Sequence, residues 1–171
     1  MSLIQTAIQA QFTPHQRVQI WNKFQTMPDE DRRRILAKIK LCMDLEAAEK
    51  CKDSFMAFVQ RMWGLGVGEP FKEAPHHGTM IDAFQRVASG HLNRLIITLP
   101  PRSGKSELAS WLLPAWYIGK YPSKKIIMAS HTADIAVDFG RRVRNLVDTE
   151  EYRQVFPGVA LSPDKIGRAH V

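Results

Sequence analysis

Residues 94–106 constrain this chain more than any other stretch. Arg94-Leu95-Ile96-Ile97-Thr98-Leu99 is a short, β-branched, apolar run of the kind that forms a strand buried on both faces, and Pro100-Pro101 stops it at once. Arg102-Ser103-Gly104-Lys105-Ser106 follows. From Gly104 to Ile118, Leu108, Trp111, Leu112 and Ala115 recur at helical spacing, with Pro114 a point where that helix can kink. A strand, a tight loop and a helix in immediate succession leave few architectures open.

The loop suits clustered negative charge. A polyphosphate has to be met by backbone N–H groups at close range, and the N-terminus of a helix adds about half a positive charge. Gly104 permits the close approach, Lys105 is placed to reach β- and γ-phosphates, and the Ser106 hydroxyl is placed to hold Mg²⁺. The tripeptide alone is weak evidence, arising in about one chain in ten at average composition. The full eight-residue pattern is also not met, because Leu99 stands where its first glycine belongs. The strand before and the helix after carry the reading.

Lys124-Lys125-Ile126-Ile127-Met128-Ala129 reads as a second strand and Ala133 to Val147 as a further helix. Strand, loop, helix, strand, helix predicts an α/β fold, the first strands of a P-loop NTPase-type parallel sheet. An N-terminal helical segment precedes it. Thr13-Pro14-His15-Gln16 places a capping threonine, a proline at the first helical position and a glutamine three residues after the cap, which starts a helix running toward Met27. Pro28 opens a second helix at Asp29-Glu30-Asp31, with Ile35, Ile39, Cys42 and Met43 as its buried stripe. Asp53 or Ser54 caps a third, carrying Phe55, Phe58, Val59 and Met62 and ending at Gly64. Thr79 to Ala88 is a helix closed by Gly90, and Trp111, Trp116 and Tyr117 are expected in the core.

The glycine-rich run from Gly64 to Pro70 reads as a linker. The expected organisation is therefore a helical segment over 1–63, a linker over 64–75 and the first part of an ATPase domain over 76–164. Residues 166–171, Ile-Gly-Arg-Ala-His-Val, match a one-frame translation of a common sequencing-library adapter, so 165–171 is set aside from fold reasoning.

Composition adds a sign. The net charge is +7, and it is uneven: residues 1–90 hold 12 basic against 10 acidic side chains, residues 91–171 hold 12 against 7. The excess lies in the half that carries the loop, which favours an anionic partner there. Cys42 and Cys51 fit neither a metal-binding pair nor a disulfide framework and are expected as reduced core thiols. No secretory signal and no apolar run of membrane-spanning length is visible.

The segments RLIITLPPRSGKSELAS and PAWYIGKYPSKKIIMASHTADIAVDFGRRVRNLV resemble the large terminase subunits of tailed bacteriophages, in the subgroup with a PPRxGKSE phosphate loop. Similarity runs from about Phe71 to Asp164, and the family's own loop accounts for Leu99. The resemblance implies a viral DNA-packaging motor that uses ATP and Mg²⁺ to drive double-stranded DNA into a capsid. It further implies a portal protein, a small terminase subunit and a homo-oligomeric ring as partners, action in the bacterial host cytoplasm without a membrane, and transient residence at the portal vertex.

Residue by residue, Pro101, Arg102, Ser103, Gly104, Lys105 and Ser106 match the family's nucleotide loop. Lys105 and Arg102 would act on the phosphates and Ser106 on the metal. His77 and Gln85 match positions bordering the adenine. The family's second acidic metal ligand, its coupling motif and its nuclease carboxylates would all lie beyond Asp164. The chain therefore reads as the N-terminal part of a motor, inactive by itself. Two other readings stay open: a helicase-like P-loop ATPase, and a basic DNA-binding adaptor in which the Gly-Lys-Ser run is coincidental.

Several residues are open to more than one role. His76-His77 as metal ligands is weaker than a helix-start role, because no third ligand is evident. His131 suits either a ligand contact or a structural hydrogen bond. Arg141, Arg142 and Arg144 suit DNA phosphate or a neighbouring subunit's nucleotide, against the default of a solvated helix face.

Overall fold

The computed structural model describes Ile4, Ala7 and residues 12–161. Among these the regular structure is helical throughout: α1 (Pro14–Gln25), α2 (Asp29–Asp53), α3 (Phe55–Val67), α4 (Pro75–Ala88), a π-helical segment Glu107–Leu112 that continues into α5 (Leu113–Lys120), α6 (Ala133–Val147) and α7 (Glu150–Val155). The chain divides into two compact units, 1–47 and 48–171.

In the first unit, local chemistry sets the helix starts. The Thr13 hydroxyl accepts from Gln16 N–H while the Gln16 side chain accepts from Thr13 N–H at 3.0 Å, with Pro14 at the first turn. Asp29, Glu30 and Asp31 place negative charge at the positive end of α2. Phe24 packs with Ile4 and with half-buried Ile20, Trp21, Ile35, Leu36 and Ile39. The expected stripe on α2 is only partly realised. Cys42 is exposed rather than a core thiol, and Leu41 and Leu45 remain more than half exposed.

The second unit holds a contiguous core built on α3, the π segment, α5 and α7. Phe55, Phe58, Val59, Met62, Leu108, Leu112, Trp116, Tyr152 and Val155 are each under 2% exposed. Ser54 is the residue that caps α3, accepting from Ala57 N–H at 3.3 Å. The helix does not stop at Gly64. It runs to Val67, where Gly68 at φ 80° closes it, so the irregular stretch is 68–74. Helix α4 likewise starts at Pro75, four residues earlier than Thr79. Buried polar groups are paired within the core: Tyr152 hydroxyl donates to the Ala115 carbonyl at 2.8 Å and Trp116 Nε1 to the Cys51 carbonyl at 2.9 Å. Burial pushes the Cys51 thiol above its ordinary pKa, against the pull of Arg61 and Lys50. It raises the Tyr152 phenol strongly as well.

The expected α/β sheet is overturned. No strand is present among the described residues, and 94–99 and 124–129 carry no regular secondary structure. A strand exists only by its ladder, and among the described residues neither run pairs with another segment; Lys124 N–H bonds only locally, to the Tyr121 carbonyl at 2.9 Å. Ile97 and Leu99 pack against the helical core, but Ile96 is 92% and Ile127 95% exposed. The β-branched composition signalled two covered faces, and the packing supplies at most one.

The helix after the loop also departs from expectation. Instead of a kink at Pro114, the backbone widens over Glu107–Leu112, and Leu113 N–H reaches back five residues to the Leu108 carbonyl. Pro114 has no N–H to return and its ring crowds the carbonyl four residues earlier. The wider register just ahead of it absorbs that mismatch.

Candidate functional site

The loop between Leu99 and Ser106 is held by backbone geometry and by two imidazoles. Arg102 is exposed and sits at φ 63°, a left-handed conformation costing an ordinary residue about 1–2 kcal/mol. Gly104, at φ 76°, is left-handed too. A Cβ there would stand 3.2 Å from His77 Nε2 and 3.4 Å from the Trp63 ring, so both conformation and space call for glycine. Between them the Ser103 carbonyl accepts from His77 Nε2 at 3.1 Å and from His76 Nε2 at 3.2 Å.

His77 is the better fixed of the pair. It is buried, its ring lies 5.1 Å from that of Phe71, and its Nδ1 accepts from Ala74 N–H at 3.1 Å at the start of α4. An acceptor at Nδ1 leaves the ring proton on Nε2, the atom that faces the Ser103 carbonyl. Every peptide bond around the loop is trans, so the Gly104 N–H points opposite to the Ser103 carbonyl, away from the imidazoles. The first helical bond then runs from Leu108 N–H to the Gly104 carbonyl at 3.0 Å, leaving the amides ahead of it without intrahelical partners.

Lys105 and Ser106 line a groove of about 430 Å³ together with Phe84 and Val87 of α4, Leu95 and Ile97. The Lys105 ammonium is partly buried and makes one long bond, 3.4 Å, to the Leu99 carbonyl, while Ser106 is exposed. Ser103 Oγ is buried without a hydrogen-bond partner. Glu107, next in sequence, receives both arms of the Arg142 guanidinium, one at 3.1 Å. That guanidinium also lies 4.8 Å over the Trp111 ring.

Residues 96–170 match the family model described as terminase large subunit, T4likevirus-type, N-terminal. Over that stretch the chain is similar to the N-terminal region of large terminase subunits. A search of curated proteins and a search of solved structures each found no match. The terminase match takes in the whole loop, Glu107 and Arg142, and favours this reading over the helicase and adaptor alternatives. It runs through residue 170, and its last nine residues, together with the set-aside tail, lie outside the described residues.

Of the residues assigned by resemblance, the structure brings Arg102, Ser103, Gly104, Lys105, Ser106 and His77 together, with Pro101 exposed at the loop's start. Gln85 stands apart. Its side chain accepts from Phe55 N–H at 3.2 Å and donates to the Asp53 carbonyl at 3.4 Å, tying α4 to the α2–α3 junction. It lines a separate cavity of about 190 Å³ with Tyr121 and Lys120. Arg141 pairs with Asp138 at 3.5 Å on its own helix, Arg144 and His131 are exposed, and Arg142 is bound to Glu107. Among the described residues no cluster of three His, Cys, Asp or Glu side chains forms a metal site, and no helix is long and apolar enough to cross a membrane.

Sequence reasoning weighed Arg142 without Glu107 and missed their pairing. The signal available was a carboxylate directly after Gly-Lys-Ser and a cation in the next predicted helix, which periodicity alone cannot match up.

Proposed function

We propose that this chain is the ATP-binding front part of a phage DNA-packaging motor, with Lys105 and Arg102 acting on the phosphates of Mg–ATP and Ser106 on the metal. The observation that carries this is the Gly104 turn, within the terminase-matching residues, where a left-handed glycine leads directly into a helix start. The residues present fit a polyphosphate. The Ser103 carbonyl is turned toward the histidines, Gly104 N–H toward the other side, and Lys105 has no carboxylate partner among the described residues. When bound, Mg²⁺ would supply charge neutralisation at the phosphate oxygens.

In this reading the backbone amides at residues 104–106 bind and orient the phosphates, and Lys105 adds a point charge that its bond to Leu99 releases at little cost. Hydrolysis, coupling to double-stranded DNA, and assembly into a ring with portal protein and small terminase subunit belong to the intact motor in the host cytoplasm.

The test is a titration of the chain with millimolar Mg–ATP, following backbone amide resonances. Saturable shifts centred on Gly104, Lys105 and Ser106 that are lost in Lys105→Ala are expected. Shifts that persist unchanged in Lys105→Ala overturn the assignment, as does saturation with no response at residues 102–107.

A further inference from the structure

We infer that His77, seconded by His76, is a positioning residue that fixes the direction of the Ser103–Gly104 peptide and so keeps the loop's amides facing the phosphate side. Arg102 and Gly104 are both left-handed, and the Ser103 carbonyl of the peptide between Ser103 and Gly104 takes two hydrogen bonds from outside the loop. Both ties come from the first turn of α4, 26 and 27 residues earlier in the chain.

The clamp is itself anchored on three sides. Ala74 N–H donates to His77 Nδ1 and so sets the ring's tautomer, the Phe71 ring packs beside it at 5.1 Å, and the Trp63 ring lies tilted against Phe71 at 5.0 Å. Gly104 then closes against the same ring, leaving 3.2 Å for a Cβ that is absent. If the carbonyl were released, the Ser103–Gly104 peptide could flip, exchanging an outward N–H for an outward carbonyl. An oxygen in that place repels a phosphate. His77 therefore touches the loop's back and not the nucleotide, which separates it from an adenine-contacting role.

This rests on the nucleotide reading for its purpose but not for its test, which reads the loop without nucleotide first. Asparagine can replace Nδ1 as the acceptor for Ala74 N–H but cannot reach Ser103, whereas glutamine can present an N–H near the position of Nε2. In nucleotide-free chain, trypsin cleavage after Arg102 is expected to rise about fivefold in His77→Asn, the effect of one lost hydrogen bond, and to return toward wild type in His77→Gln. Mg–ATP affinity should follow the same order. Imidazole ¹⁵N spectra of the unmutated chain should show His77 protonated at Nε2 alone.

Equal cleavage in the Asn and Gln variants, with melting temperatures matched, overturns the clamp. So does a His77 ring protonated at Nδ1, which is readable even if the variants fail to fold. If cleavage obeys the predicted order while no variant or wild type binds Mg–ATP, the clamp stands and the nucleotide reading falls.

Discussion

The carboxylate of Glu107 and the guanidinium of Arg142, 35 residues apart, form a two-armed ion pair that joins the start of the π segment to the middle of α6. Both side chains are about 30% exposed. Solvent therefore screens the pair only in part, and the parallel geometry is of the kind that exceeds an ordinary surface bridge. A double-mutant cycle of Glu107→Gln and Arg142→Gln, followed by urea denaturation, should give a coupling energy of about 1 kcal/mol. Arg142→Gln should cost more than Glu107→Gln, since it also removes the cation over Trp111.

Gly66 and Gly64 predict opposite signs in one helix. A Cβ on Gly66 would enter the six-membered ring of Trp111, while one on Gly64 meets only the Glu69 carbonyl at 3.7 Å. Alanine in a helix ordinarily gains about 1 kcal/mol over glycine. Gly64→Ala should therefore be neutral or stabilising in urea, and Gly66→Ala should be destabilising by about 1–3 kcal/mol through overpacking.

Tyr152 gives the second unit an alkaline limit. Its phenol is fully buried and donates to the Ala115 carbonyl, and desolvation raises its pKa in the folded chain. The folded state thus holds its proton where the unfolded state has lost it. The contribution is complete below the unfolded value of about 10 and declines as pH rises beyond it. Tyr152→Phe should lose about 1 kcal/mol at neutral pH from the missing hydrogen bond. Its stability should then fall less steeply above pH ~10 than wild type does, as measured by denaturation at stepped pH.

Limited trypsin digestion should cut after Lys72 before any basic residue within 29–60. Residues 68–74 have no regular structure and the Lys72 side chain is 85% exposed, whereas α2 and α3 protect their backbone by helical bonds. Earlier cleavage inside 29–60 would show that the order of local stabilities is the reverse.

The sequence alone determined what depends on neighbours within about four residues. The Thr13–Gln16 box, the acidic start at Asp29, a cap at Asp53 or Ser54, the span Ala133–Val147 and the left-handed turn that favours glycine at 104 are properties of short-range hydrogen bonds and φ preferences, and each is legible in the order of residues. Tertiary structure alone decided whatever requires a distant partner. Residues 94–99 and 124–129 have strand composition but no ladder, because pairing is a property of two segments and not of one. Cys42 looked as apolar as Cys51, and only packing left one exposed and buried the other. The imidazole of His77 met Ser103, and Arg142 met Glu107, through contacts 26 and 35 residues long. No periodicity records such contacts, because the geometry that makes them exists only once the helices have packed.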